Sequence, residues 1–105
     1  MATEDREAPR WTFLTNHARV FLLVAEQPDI LIRELATLIG ITERAVHRIL
    51  KELEDSGYVS HRTVGRRNRY RVRKSLHFRH ALHDDQQVGD LLDLLSSKVE
   101  SGLEE

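Results

Sequence analysis

The sequence predicts a mainly helical α+β domain that combines a three-helix core, a β-hairpin and one further C-terminal helix. Apolar residues recur at helical spacing through residues 15–53, β-branched and aromatic residues follow Gly57, and helical spacing returns after residue 86. A chain of 105 residues accommodates one such domain. The expected division is a disordered tail at 1–10, the domain at 11–74, a loop at 75–85 and the C-terminal helix at 86–105.

The first helix has clear boundary signals. Thr15 can cap it, because a threonine hydroxyl accepts a hydrogen bond from a backbone N–H of the first turn. The helix should end before Pro28, since the residue that precedes a proline is pushed out of the helical region. The Ile-Leu-Ile run at residues 30–32 is too brief for a helix and predicts a small strand.

The next two helices form a pair joined by a short turn. The second helix is predicted at residues 33–39 and stops at Gly40, whereas Thr42 caps the third helix, which stops at Gly57. Two helices that meet at a wide angle need a small side chain where they touch, and Ala36 supplies it. The outward side chains of the third helix are short, polar or basic: Glu43, Arg44, Ala45, His47, Arg48 and Lys51.

A β-hairpin is predicted directly after the third helix, with strands at residues 58–64 and 69–73. Tyr70 and Val72 are expected to return to the core. Four turn-forming residues lie between the strands: Gly65, Arg66, Arg67 and Asn68. Five arginines are expected to remain free: Arg62, Arg66, Arg67, Arg69 and Arg71.

The formal net charge of −1 conceals a strong asymmetry along the chain. Residues 42–80 hold 11 basic and 4 acidic side chains, whereas residues 81–105 hold 1 basic and 7 acidic side chains. Residues 56–80 contain 8 basic side chains and no carboxylate. Such a block favours a polyanionic partner, because ordinary solvated strands and loops intersperse both signs of charge.

Three stretches resemble the winged helix-turn-helix regulators of the ArsR and MarR type: TNHARVFLLV, ELATLIGITERAVHRILKELEDSGYV and GRRNRYRV. The resemblance covers residues 15–72. It implies a winged helix and a transcriptional regulator that binds double-stranded DNA, usually as a homodimer. It also implies that residues 42–51 enter the major groove and that the turn at 65–69 lies over the backbone or minor groove.

The candidate DNA contacts therefore come from the third helix and the hairpin. Arginine suits phosphates and the minor groove because it stays charged and donates hydrogen bonds in a planar fork. Two features depart from the resemblance: the cysteine-containing metal box is missing, and the N-terminal segment is too short for the large dimer helix of many relatives. The candidate residues are Thr42, Glu43, Arg44, His47, Arg48, Lys51, Arg62, Arg66, Arg67, Asn68, Arg69 and Arg71.

The C-terminal helix is the expected dimerisation element. Val88, Leu92, Leu95 and Val99 repeat at spacings of four, three and four, and Leu91 broadens the apolar side. The alternative is that this helix folds onto its own chain. A two-fold dimer would bind a pseudo-palindromic site whose half-sites lie about one helical turn apart.

Several other classes of protein fit the sequence less well. The absence of cysteine excludes disulfides, thiolate metal sites and thiol catalysis, and no catalytic constellation or cofactor motif is present. Neither a signal peptide nor a membrane span is evident, so we expect a cytoplasmic protein without a cofactor or enzymatic activity. Two alternatives stay open: a metal site at His77, His80 and His83, and a winged helix that binds RNA or another protein.

Overall fold

The computed structural model describes residues 11–95, and the statements below concern those residues. Its elements follow in the order α1 (Asn16–Glu26), α2 (Ile32–Ile39), α3 (Glu43–Asp55), β1 (Val59–Val64) and β2 (Arg67–Val72). A 3-10 helix (Ala81–His83) precedes a last helix, α4, which is described over residues 88–95. The predicted fold class is confirmed: a helical core carries an antiparallel two-stranded hairpin.

The predicted threonine caps are confirmed at the starts of α1 and α3. The hydroxyl of Thr15 accepts a hydrogen bond from the N–H of Ala18 at 3.1 Å, and that of Thr42 accepts one from Ala45 at 3.0 Å. Gly40 ends α2 with φ of 86°, a backbone conformation that glycine adopts without a steric penalty. Gly40 and Thr42 together fix where α3 begins and therefore which of its side chains point outward.

The strand predicted at residues 30–32 is wrong. Leu31 is instead the N-cap of α2, and its N–H donates to the carboxylate of Glu34 at 2.9 Å, so the helix begins at Ile32. Ile30 is buried as a core residue ahead of the helix. Two residues earlier, the turn at Pro28 contacts the hairpin, because the N–H of Tyr70 donates to the carbonyl of Pro28 at 2.9 Å.

One hydrophobic core joins all four helices and the hairpin. Its largest fully buried side chains come from α1, α2 and α3, and Val59 and Tyr70 close it from the hairpin, while Val72 is partly buried against it. Burial of aliphatic side chains of this size stabilises a domain by roughly 1.5–3 kcal/mol each. The most deeply buried members are Val20, Val24, Leu35, Val46 and Ile49.

The predicted dimer seam on α4 needs correction, because two of its residues belong to the core of the same chain. Val88 is 6% exposed and Leu92 is 2% exposed. Side chains that are already buried against α1–α3 and the hairpin cannot also form a seam with a partner. Leu91 and Leu95 are half-buried, and Val99 lies outside the described residues.

The start of α4 is fixed by backbone hydrogen bonds to the segment that follows the hairpin. Val88 N–H donates to the carbonyl of Leu76 at 2.8 Å, and Gly89 N–H donates to that of Lys74 at 2.9 Å. The helix thus begins at Val88 rather than at Gln86. A Cβ on Gly89 would lie 2.9 Å from the Lys74 carbonyl oxygen and 2.8 Å from its Cβ.

Gly89→Ala is therefore expected to destabilise the domain by about 1–3 kcal/mol, because the added methyl group overlaps the Lys74 backbone. The sign of the change in unfolding free energy decides the matter, because alanine in an unobstructed helix is favoured over glycine by up to about 1 kcal/mol and would stabilise the domain. Urea unfolding followed by circular dichroism measures the change. Asp93→Ala on the exposed side of α4 is the matched control and should stay within about 0.5 kcal/mol. A stabilised Gly89→Ala variant would contradict this packing.

Candidate nucleic-acid interface

The outward face of α3 is a continuous polar surface. Val46, Ile49, Leu50 and Leu53 bury the opposite face of the helix. Because neighbours on one helix face recur every three or four residues, the remaining side chains share a single exposed stripe. All six of the predicted α3 contact residues are exposed: Thr42, Glu43, Arg44, His47, Arg48 and Lys51.

Two basic residues of this stripe make ion pairs along the helix. Arg48 Nη1 lies 3.5 Å from Glu52 Oε1, and Lys51 Nζ lies 3.3 Å from Asp55 Oδ2. Exposed pairs at this spacing contribute only about 0.3–0.5 kcal/mol, so a stronger acceptor can replace them. A phosphate is such an acceptor, and a guanine edge competes by accepting two hydrogen bonds from one side chain.

The turn of the hairpin is tighter than the sequence predicted. Only Gly65 and Arg66 connect the strands, whereas Arg67 and Asn68 lie in β2 opposite Val64 and Thr63. Gly65 has φ of 65°, and Arg66 has no positive φ, which is the combination of a two-residue type II′ turn with glycine first. The prediction was wrong because arginine and asparagine were assigned to the turn by composition. Arg66 consequently stands alone at the tip.

The strand register separates the hairpin side chains into two faces. Ser60 pairs with Arg71, Arg62 pairs with Arg69, and Val64 pairs with Arg67, so the four arginines share the outer face. Tyr70 and Asn68 lie on the other face, which looks toward α3. All the predicted hairpin contact residues are exposed: Arg62, Arg66, Arg67, Asn68, Arg69 and Arg71.

A groove connects the hairpin to the polar stripe of α3. His47 and Lys51 line it from α3, and Asn68 and His61 line it from the hairpin. The structure thus brings three of the predicted contact residues to one place, two from the helix and one from the hairpin. The outer arginines lie on the opposite face of the same hairpin.

Two arginines that the sequence suggested would be free have a partner. Arg69 Nη1 lies 3.3 Å from both carboxylate oxygens of Asp29, and Arg67 Nη1 donates to the Asp29 backbone carbonyl at 3.3 Å. Sequence reasoning missed Asp29, because it lies 40 residues before Arg69 and carries no local signal. Its position follows only from the folded course of the chain beside β2.

Comparison with known proteins adds to this geometry. A family model described as the MarR family matches residues 12–67, slightly more than half of the chain. The chain belongs to the MarR family. No curated protein matches this MarR-family chain.

Solved structures show the same winged-helix fold. Streptococcus pneumoniae FabT in complex with DNA aligns with a TM-score of 0.55 and 14% identity over 94% of this chain and 63% of that chain. Lactococcus lactis ZitR aligns with a TM-score of 0.56 and 15% identity over 93% of this chain and 60% of that chain. The antimony-specific transcriptional repressor AntR aligns with a TM-score of 0.51 and 19% identity over 84% of this chain and 69% of that chain. This chain spans between 60% and 69% of the length of these three solved proteins.

Two histidine–carboxylate pairs hold α3 within the MarR-family domain. His17 Nε2 and Glu52 Oε1 are 2.6 Å apart and join α1 to α3, and His61 Nδ1 contacts Glu54 and joins β1 to α3. His17 therefore pairs with α3, while Thr15 caps α1. The hydrogen bond from His17 holds the pKa of the Glu52 carboxyl below its ordinary value, and Arg48 lowers it further.

Glu52→Gln is expected to make stability less dependent on pH in acid. Because the pKa of Glu52 is lowered in the folded state, the pair stabilises the domain above the ordinary glutamate pKa. That contribution is lost as the pH falls through the lowered pKa. Urea unfolding at about pH 6 and about pH 3 measures the difference. His17→Ala removes the same hydrogen bond and should flatten the profile in part, because Arg48 still lowers the pKa of Glu52; a wild-type profile in both variants would contradict the assignment.

The histidines considered as metal ligands make backbone contacts. His77 Nδ1 lies 2.6 Å from the carbonyl of Asp84, and His80 Nδ1 accepts from the N–H of Leu82 at 3.1 Å. In the part of the chain that the structure describes, no three His, Asp or Glu side chains are grouped as metal ligands. Within the same residues, no helix is long and apolar enough to cross a membrane.

Proposed function

We propose that this MarR-family chain is a sequence-specific double-stranded DNA-binding regulator that acts as a homodimer. In this proposal α3 enters the major groove and the hairpin lies on the backbone or in the minor groove. The observation that carries it is the surface shared by α3 and the hairpin, where His47, Lys51 and Asn68 line one groove. The DNA-bound state of FabT, which shares the fold, also supports it.

The two parts of the surface would take different roles. Residues of α3 from Thr42 to Lys51 have the length and polarity of side chains that reach base edges. The arginines of the hairpin, together with Arg66 at the tip, carry charge suited to phosphates, which supply affinity without sequence information. Sequence preference is therefore assigned to α3 and general affinity to the hairpin.

Within the surface shared by α3 and the hairpin, the described residues give no support to the RNA and protein alternatives, and the exposed rings of Trp11 and Phe13 lie outside that surface, before α1. Tyr70 is 5% exposed, and the hydroxyl of Tyr58 donates to the carbonyl of His77 at 2.7 Å, so neither ring is presented for stacking on bases. The exposed stripe of α3 carries no large apolar side chain, which a protein-docking face would need. Binding to duplex DNA remains the function that the surface favours.

The homodimer is proposed through α4, with a revised set of contacts. Since Val88 and Leu92 are used by the chain's own core, the seam is assigned to Leu91 and Leu95, and Val99, which lies beyond the described residues, stays in it by sequence spacing alone. Apolar residues on more than one side of this helix support the assignment. Sedimentation of the Leu95→Asp variant tests it, and a variant that sediments like wild type would contradict it.

Fluorescence anisotropy of labelled oligonucleotides tests the type of nucleic acid. We expect random-sequence duplex DNA of about 20 base pairs to bind with a strong salt dependence and single-stranded RNA of equal length to bind more weakly. Equal or tighter binding of RNA would overturn the proposal.

Arg48→Ala is expected to relax sequence preference, because loss of a base contact costs about 1–3 kcal/mol on the preferred sequence and little on others. Competition between a selected site and random duplex measures the ratio of the two affinities. Arg79→Ala is the matched control, an exposed arginine that donates to Ser56 from the loop after the hairpin. If Arg48→Ala weakened all duplexes equally, α3 would not be the reader of sequence.

A further inference from the structure

Asp29 faces the arginines of the hairpin from the loop between α1 and α2. Its carboxylate oxygens each lie 3.3 Å from Arg69 Nη1, and its carbonyl accepts from Arg67 at the same distance. Among the ion pairs of residues 11–95, this is the only one that joins a hairpin arginine to a carboxylate. The contact therefore lies within the surface assigned to phosphate.

The backbone on both sides of Asp29 is fixed. Pro28 accepts a hydrogen bond from Tyr70 of β2 at 2.9 Å, and Ile30, whose N–H donates to Gln27 at 3.0 Å, is buried in the core. These contacts hold the intervening Asp29 beside the outer face of β2. The carboxylate is thus presented to Arg69 by the fold.

Asp29 offsets a repulsion that the hairpin creates. Arg62 and Arg69 stand directly opposite each other on the outer face, and like charges in such cross-strand pairs are destabilising. A carboxylate at Arg69 reduces this repulsion when no other anion is present. A DNA phosphate placed at the same guanidinium would do the same and would have to replace Asp29.

We propose that Asp29 competes with DNA phosphate for Arg69 and so lowers the affinity of this domain for duplexes of any sequence. This inference rests on the proposed DNA-binding function. The side chains of Arg69 and Asp29 are 49% and 52% exposed, so the pair is weak enough for phosphate to displace. Breaking it nevertheless leaves a carboxylate beside the DNA backbone.

Asp29→Asn is the test, because it removes the charge and keeps the backbone carbonyl that Arg67 contacts. With a random-sequence duplex of about 20 base pairs as the probe, the variant should bind about two- to fivefold more tightly than wild type. The slope of log affinity against log salt should steepen by up to about 0.9, because Arg69 then neutralises a phosphate without the Asp29 carboxylate offsetting its charge. The thermal unfolding midpoint shows that the fold is retained.

Two further variants isolate the Arg69 contact. Asp93→Asn removes the same charge from the exposed side of α4 and should leave the salt slope unchanged. In an Arg69→Gln background, Asp29→Asn should no longer change the slope. If wild type binds duplex DNA but Asp29→Asn binds it equally or more weakly, Asp29 does not compete with phosphate for Arg69, and the proposed DNA-binding function stands. If wild type binds no duplex, both fail.

Discussion

Leu92→Asp is expected to destabilise the domain severely rather than to yield a stably folded monomer. Leu92 is 2% exposed and packs in the same core as Val88 and the helices α1–α3. A carboxylate at this position loses the buried leucine and places an uncompensated charge in an apolar site, which costs more than about 4 kcal/mol. Small domains have only about 5–15 kcal/mol of stability to lose. Circular dichroism during urea unfolding measures the effect.

Leu95→Asp is the matched comparison on the same helix. Leu95 is half-buried, so the substituted carboxylate can reach water and the fold should be retained. Sedimentation velocity on both variants distinguishes a residue of the core from a residue of the dimer seam. Leu95→Asp is expected to be folded and monomeric. A Leu92→Asp variant that is folded, cooperative in its unfolding and monomeric would show that this residue belongs to an intermolecular seam after all.

The double change Arg66→Ala with Arg67→Ala is expected to weaken binding to every duplex by tenfold or more, on the order of two lost charge-assisted contacts. Arg66 is at the tip of the hairpin and Arg67 is the first residue of β2. The slope of log affinity against log salt should fall by about one for each lost phosphate contact. Anisotropy titrations at several salt concentrations measure both quantities.

Arg73→Ala with Lys74→Ala controls for the loss of two positive charges. These residues follow the end of β2, at the base of the hairpin and away from its tip. Since they are outside the proposed contact set, the control should change the salt slope less than the tip variant does. An unchanged slope in the Arg66 and Arg67 variant would remove the tip from the DNA interface.

Local chemistry made most of the fold predictable. Threonine hydroxyls at Thr15 and Thr42, and the positive φ of Gly40, act within one turn of the chain, and each is found where the sequence places it. The exposed stripe of α3 follows from helical periodicity alone. The segment at residues 30–32 was predicted wrongly, because a side chain three residues ahead, Glu34, decides whether a helix can start.

Contacts between distant segments were not predictable in this way. Val88 and Leu92 have the spacing of a helix seam, but spacing does not reveal whether the covering surface belongs to the same chain or to another. The Asp29–Arg69 pair likewise depends on how the loop after α1 passes β2. The need for glycine at position 89 is also visible only in the folded chain, because the close contact with Lys74 leaves no space for a Cβ there.

Selection of bound sites from random duplex DNA, carried out at two salt concentrations, tests the central proposal most directly. We expect enrichment of a defined sequence, with two inverted half-sites about one helical turn apart, that persists at the higher salt while general binding falls. Recovery of no enriched sequence at either salt concentration would contradict sequence-specific recognition by α3. A single enriched half-site would retain DNA recognition and contradict the homodimer.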